Sequence, residues 1–334
     1  MALCRIYFFT YKRNYLISRS IGSLLDQTFK DWICEVHNDC PEDKFPEVYI
    51  KSLHDSRFII KNHSSNLGGT GSFNLAFSGC KEKYASMLED DNWWEPNFLE
   101  EMISLMDQKP SLDIAWSNMR IWKESNGNEW IDTEKNVWPA GNDQLFSWPQ
   151  QQQSLGALHS TGAMMYRGIN SRKYLIPNET LLDAVELIRE RSFKHPIYLK
   201  NKVLANFSIT TFTNRSKDQW KWTANQVMLI GSLVMTSKNK KKEFQEALSY
   251  YHKQKPTPVI NFYLLIIFYL KDYSLLRFFK PHDWFVFCKW ILRTNINLIK
   301  LKKYMNSQKN VYQYLLDHTQ NRHKASSSTC STTL

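Results

Sequence analysis

Three carboxylates, Glu89, Asp90 and Asp91, follow one another directly in the sequence, with Asn92, Trp93 and Trp94 after them. Adjacent carboxylates repel one another unless a cation or protons neutralise them. Hard oxygen donors of this kind favour Mg²⁺ or Mn²⁺, ions that commonly bridge one or two carboxylates to substrate phosphates. The competing reading is a solvated turn whose acids suit the positive end of a following helix. The surrounding elements decide between the two.

Before the acids, Tyr84 to Leu88 is uncharged and apolar and suits a buried strand. After them, Pro96 is placed to be a first helical residue, and Phe98, Leu99, Met102, Ile103 and Met106 recur at helical spacing. The acids thus sit at the carboxyl end of a strand, where open α/β sheets place their ligands. The same alternation runs back to the N-terminus. Leu3–Thr10, Trp32–His37 and Arg57–Asn62 read as strands, and Ile17, Ile21, Leu24 and Leu25 mark a helix face. A further helix carries Phe73, Ala76, Phe77 and Cys80. This pattern predicts a parallel sheet with helices on its faces. Each strand end is polar: Thr10, Tyr11 and Arg13; Asn38 and Asp39; Asn66 and Gly68; Glu89 to Asn92. Such loops converge at one edge and outline a nucleotide-sized pocket with a metal site beside it. Gly68-Gly69-Thr70-Gly71 lacks the spacing and position of a dinucleotide fingerprint.

The chain has 334 residues, 43% of them hydrophobic, enough for a substantial core. Its net charge of +11 is unevenly spread: residues 1–214 carry −3 and residues 215–334 carry +14. Six cysteines lie without a Cys-x-x-Cys pair, which argues against a zinc ribbon and fits a reducing cytosol. No signal-peptide pattern opens the chain. The longest uncharged apolar stretch, Pro258–Leu270, is 13 residues, against the ~20 that span a bilayer. Residues 238–304 mix Lys and Arg with Trp, Phe, Leu and Ile, as interfacial helices on anionic lipid do. Apolar bulk of this kind disfavours nucleic acid as the partner. Seven of the 12 tryptophans fall between positions 93 and 148, and Trp93 and Trp94, beside the acids, are candidates to line an acceptor cleft. Ser160–Arg167 reads as a strand, and Asn178–Arg189 as the start of a helix.

The order Thr10-Tyr11-Lys12-Arg13-Asn14, Leu25-Asp26-Gln27-Thr28-Phe29, Asn38-Asp39, Asn66-Leu67-Gly68 and Leu88-Glu89-Asp90-Asp91-Asn92 resembles the family-2 glycosyltransferases. The resemblance covers residues 3–212. It implies a GT-A fold, transfer with inversion from a UDP-, GDP- or dTDP-sugar, and Mn²⁺ or Mg²⁺ as cofactor. It also implies roles: Thr10 and Tyr11 line the base pocket, Asp39 bonds the base, Asp90 reaches the ribose and Asp91 ligates the metal. Glu89 takes the first place of the family's Asp-x-Asp motif. Asp183, six residues before Arg189, matches the catalytic base, with Glu179 and Glu186 as competitors. Two departures stand out. Phe73 occupies a place where many members have Arg, and residues 207–212 lack the His that many members carry.

These readings give a catalytic domain over 1–214, split into a donor half (1–112) and an acceptor half (113–214). A basic helical region follows over 215–323, then a disordered tail over 324–334. The expected function is transfer of one sugar to a hydroxyl of a saccharide or lipid-linked acceptor in surface polysaccharide biosynthesis. The expected location is the cytoplasmic face of a membrane, peripherally bound. The alternatives are a sugar-phosphate nucleotidyltransferase and a non-catalytic protein binding nucleic acid or membrane.

Overall fold

The computed structural model describes residues 2–125, 129–211, 219–254, 273–291 and 298–329. They form two compact units. The first comprises Met1–Ser147, His159–Leu175 and Phe193–Asn214, the second Trp148–Leu158, Ile176–Ser192 and Arg215–Leu334.

The first unit is built on one sheet. Its strands are β1 (Cys4–Thr10), β2 (Trp32–Asn38), β3 (Phe58–Asn62), β4 (Tyr84–Glu89), β5 (Trp93–Trp94), β6 (Ile114–Glu124), β7 (Trp130–Asn136), β8 (Gln144–Phe146), β9 (Met164–Arg167) and β10 (Ile197–Ile209). They run β3-β2-β1-β4-β9-β6-β10-β5, with β7 on β6 and β8 on β10. Strands β1 to β4 are parallel, as the alternating pattern predicts, and β6 and β10 form a second parallel pair. β9 joins the two groups antiparallel to both β4 and β6. Helices α1 (Asn14–Leu25), α2 (Phe45–Ser52), α3 (Gly68–Leu75) and α4 (Phe98–Gln108) accompany these strands. Ile17, Ile21 and Leu24 of α1 and Phe98, Leu99, Met102 and Met106 of α4 enter one core with Ile6, Phe8, Val36 and Leu88.

Two local expectations are corrected. Helix α4 begins at Phe98 and not at Pro96. Trp93 and Trp94 pair with β10, and the Glu95 N–H donates to the Leu204 carbonyl (2.9 Å), so the chain stays extended through this point. The strand expected over Ser160–Arg167 starts at Met164, because Thr161–Ala163 forms a 3₁₀ turn.

The second unit draws on segments from within the range 1–214 expected as the catalytic domain. Buried polar groups explain the regrouping. Glu190 accepts from Gln153 Nε2 and from the Leu158 N–H, both at 2.7 Å, and buried Arg191 donates to the Gln153 carbonyl (2.7 Å). Buried charges of this kind are retained where partners satisfy them. The expected helix near residue 178 is a 3₁₀ turn, Leu182–Ala184, followed by α5 (Val185–Arg189). The unit's other described helices are α6 (Gln219–Thr236), α7 (Lys240–Gln254), α8 (Pro281–Ile291), α9 (Leu298–Ser307) and α10 (Lys309–Thr329). Helix α10 runs to Thr329, into the range 324–334 expected as the tail. Of the basic stretch 238–304, residues 255–272 and 292–297 lie outside the described residues, as does the apolar run Pro258–Leu270. Among the described residues no helix is long and apolar enough to cross a membrane.

Candidate functional site

Strand register brings the polar strand ends together. Thr10 lies opposite Asn38 on β2, and Phe9 lies opposite Glu89 on β4. The chain leaves both neighbours tied to β1: the Asp39 N–H donates to the Thr10 carbonyl and the Asp90 N–H to the Phe9 carbonyl, each at 3.1 Å. Thr10, Asp39 and the Glu89–Asp91 row therefore share one edge of the first unit.

The acids are not a solvated turn. Asp90 is fully buried and the Asp91 side chain is 15% exposed. Arg13 supplies the cation that adjacent carboxylates require. Its Nη2 lies 2.5 Å from Asp90 Oδ1 and its Nη1 2.6 Å from Asp91 Oδ2. Burial pushes the Asp90 carboxyl up to about 7; Arg13 opposes that rise and Asp91 adds to it, while the Thr10 hydroxyl and Tyr11 N–H favour the anion. Tyr11 itself is exposed beside this pair. Glu89 turns toward the Thr161–Ala163 turn and accepts from Asn92 Nδ2 (3.0 Å). A Cβ placed on Gly162 would stand 2.7 Å from Glu89 Oε2, so glycine is needed there for the close approach.

Arg19 on α1 had no mark in the sequence and is central here. Its guanidinium lies between the rings of Trp93 (3.9 Å to the centroid) and Trp130 (3.7 Å). Its Nη2 donates to the Asp91 carbonyl (2.8 Å) and to Ser208 Oγ (3.2 Å), and the Ser208 hydroxyl also donates to the Asp91 carbonyl. Burial brings Arg19 down to about 10 against the pull of Asp91 and Glu124. Glu124, at the end of β6, is buried and accepts from the Thr211 N–H (2.8 Å) and hydroxyl (3.0 Å). The residues flanking Arg19 in the chain give no hint of this, because its partners come from the turn after β4 and from β5, β7 and β10.

Trp93 shares its ring surface with Arg19, Trp122 and Trp130. Trp94 is corrected from an acceptor candidate to a core residue. It is 2% exposed, stacks on Phe98 at 4.1 Å and donates through Nε1 to the Gly162 carbonyl (2.7 Å).

Asp39 has a network of its own. Its Oδ1 accepts from the Leu67 N–H (2.8 Å) and lies 3.0 Å from His63 Nδ1. His63 Nε2 is 3.0 Å from His37 Nδ1. Asn66 donates to the Asp39 carbonyl (3.3 Å) and accepts from the Gly68 N–H (2.8 Å), with Gly68 at φ +70°, a conformation glycine adopts freely. His37 and His63 also line a cavity of about 500 Å³ with Ile60, Lys61, Leu67 and Leu75.

Asp183, Glu179 and Glu186 belong to the second unit. Asp183 lies in the 3₁₀ turn before α5, and Glu186 in the first turn of α5. Glu179 is exposed and accepts from Asn310 Nδ2 (2.5 Å).

Among the described residues no group of three or more His, Cys, Asp or Glu side chains stands ready to enclose a metal. Asp91 and Glu89 still suit Mg²⁺ or Mn²⁺ as partial ligands, since such ions keep waters and substrate phosphates in their coordination shell.

A sequence model described as glycosyl transferase family 2 matches residues 6–172, half of the chain. Escherichia coli WfgD, a UDP-Glc:alpha-D-GlcNAc-diphosphoundecaprenol beta-1,3-glucosyltransferase, is 30% identical over 114 residues, 34% of this chain and 44% of that protein. WfaP of the same organism, described by the same activity, is 26% identical over 124 residues, 37% of this chain and 49% of that one. The chain thus spans less than half the length of these curated relatives. S. aureus TarS 1–349 in complex with UDP superposes with a TM-score of 0.58 at 13% identity, covering 96% of this chain and 82% of that one. At that identity the likeness establishes the fold: an α/β GT-A domain followed by helices.

Proposed function

The chain is a member of glycosyl transferase family 2, and from that premise we propose that it moves one sugar from a nucleotide-diphosphate sugar, with inversion, to a hydroxyl of a saccharide or lipid-linked acceptor in surface polysaccharide biosynthesis. One observation carries the reading: Asp39, Asp90 and Asp91 follow the ends of β2 and β4, the two strands that flank β1, at one sheet edge. In this reading Thr10, Tyr11 and Asp39 take the base, with Asn66 and Gly68 shaping the loop behind them. Asp90 takes the ribose, and Arg13 lies beside the diphosphate. Asp91, with Glu89 as second candidate, would hold Mn²⁺ or Mg²⁺ against the diphosphate. A bound metal would offset the charge of the departing nucleoside diphosphate. Asp183 is proposed as the base that takes the acceptor proton, on the family resemblance, with Glu179 and Glu186 as alternatives. Trp93 remains the proposed acceptor contact.

The printed activities of WfgD and WfaP, which name a diphosphoundecaprenol acceptor, support a lipid-linked acceptor here. The UDP complex of TarS supports a nucleotide donor. Exposed Trp284 and Phe285 in α8, near Lys280, support peripheral contact with an anionic membrane; the cytoplasmic face is part of the same proposal.

The test is calorimetric titration of UDP, GDP, dTDP and CMP, with and without Mn²⁺, into wild type and Asp91→Asn. Metal-dependent binding of a nucleoside diphosphate that is lost in the variant is expected. No binding under any condition overturns the transferase reading. Asp183→Asn should leave nucleotide binding intact and abolish transfer.

A further inference from the structure

Asp39 offers a ligand one oxygen, not two. Its Oδ1 already faces two donors, the Leu67 N–H at 2.8 Å and the His63 ring at 3.0 Å. A carboxylate oxygen has two lone-pair positions, so Oδ1 is filled. Among the described residues the one other side-chain donor brought to Asp39, Asn66 Nδ2, goes to its main-chain carbonyl. Oδ2 takes no donor from the described residues, and the Asp39 side chain keeps 8% of its surface exposed.

The ring tautomers follow from the carboxylate. An ionised Asp only accepts, so His63 Nδ1 carries the proton and donates to Oδ1. In neutral His63, Nε2 must then accept, and the donor is the Nδ1–H of His37 at 3.0 Å. His37 cannot readily turn away, because it is 7% exposed and its ring stacks on Phe9 (5.2 Å) and Tyr7 (6.1 Å). The stacked His37 therefore holds His63, and His63 holds Oδ1.

Resting on the transferase reading above, we propose that His63 is a specificity-determining residue. By filling Asp39 Oδ1 it selects donors whose base presents a single imide N–H, uracil or thymine, over guanine. The N3–H of uracil or thymine needs one acceptor, and Oδ2 supplies it. Guanine presents N1–H and its exocyclic amine side by side and pairs with both oxygens of a carboxylate. Here one of those donors would meet an oxygen already filled. Cytosine is disfavoured independently of His63: its one donor on this edge is the N4 amine, and pairing that with Oδ2 sets the N3 lone pair against the carboxylate. A site that leaves a ligand's polar group unpaired discriminates strongly against that ligand.

The test uses the full chain with Mn²⁺ and the diphosphates UDP, dTDP, GDP and CDP, read by calorimetry. Wild type should bind UDP or dTDP at least tenfold more tightly than GDP or CDP, and comparing UDP with dTDP identifies which imide base is taken. In His63→Leu the GDP-to-UDP ratio of Kd should fall about tenfold, chiefly through tighter GDP binding. His63→Gln, which restores an N–H donor, should return it toward wild type. His37→Phe keeps the stacked ring but removes the donor to His63, and should give an intermediate ratio; it carries the test if His63→Leu fails to fold. Equal binding of UDP and GDP by wild type overturns the inference while leaving the transferase reading in place. So does an unchanged ratio in folded His63→Leu or, if that variant does not fold, in His37→Phe. Failure of all four nucleotides to bind wild type overturns both.

Discussion

Arg13 Nη1 lies 2.6 Å from Asp91 Oδ2, so the carboxylate proposed to hold a metal already carries a cation from the chain itself. A metal ion must compete with that guanidinium. A hydrogen bond to a charged group contributes about 1.5–3 kcal/mol, and about 1.4 kcal/mol corresponds to tenfold in affinity. Arg13→Gln should therefore bind Mn²⁺ alone about tenfold more tightly than wild type, while its affinity for nucleoside diphosphate in Mn²⁺ falls. Manganese titration followed by electron spin resonance measures the first, and an unchanged affinity would remove Arg13 as a competitor.

Asp90 makes stability depend on pH in a stated direction. Burial raises its carboxyl to about 7 in the folded chain, above the ordinary value of 3.8. Between those values the folded state keeps a proton that the unfolded state has released, so this group's contribution to stability falls as pH rises. The penalty is absent below the lower value and complete above the upper one. Asp90→Asn removes it. Relative to wild type, the variant should gain more in melting temperature at pH 8 than at pH 5. An equal difference at both would mean that Asp90 ionises at its ordinary value.

Arg19 anchors the Asp91 carbonyl from between two indole rings. A cation over an aromatic face contributes about 0.5–1 kcal/mol when exposed and about 2 when desolvated. Trp130→Ala should lower unfolding free energy by about 1–2 kcal/mol on that scale, measured by urea denaturation. Arg19→Lys keeps the charge but loses the planar fork. It should weaken Mn²⁺-dependent nucleotide binding several-fold, because the main chain of Asp91 is no longer held.

Gly162 has no room for a methyl group: a Cβ there would stand 2.7 Å from Glu89 Oε2 and 3.1 Å from Asn92 Nδ2. Gly162→Ala should destabilise the first unit by about 1–3 kcal/mol, the range for overpacking. It should also displace Glu89. If metal-dependent nucleotide binding survives in the folded variant unchanged, Glu89 is not a ligand.

The sequence determined what short-range physics controls. Apolar runs of strand length alternating with helical spacing required a mainly parallel sheet, and that topology puts Thr10, Asp39 and Asp90 at one edge. The row of acids required a neutralising partner. Tertiary structure alone decided who that partner is. Arg13 precedes the acids by more than seventy residues and meets them because β1 pairs with β4 in parallel. Trp94 looked like Trp93 in the sequence, yet strand alternation sends one toward Arg19 and the other into the core. Arg19, His63 and Gly162 left no trace in composition or spacing, because their roles lie in what distant strands bring against them. The grouping of residues 148–158 and 176–192 with the C-terminal helices was hidden for the same reason. It turns on buried Glu190 and Arg191 finding partners on Gln153 and Leu158, and no local pattern records which buried charge will find which partner.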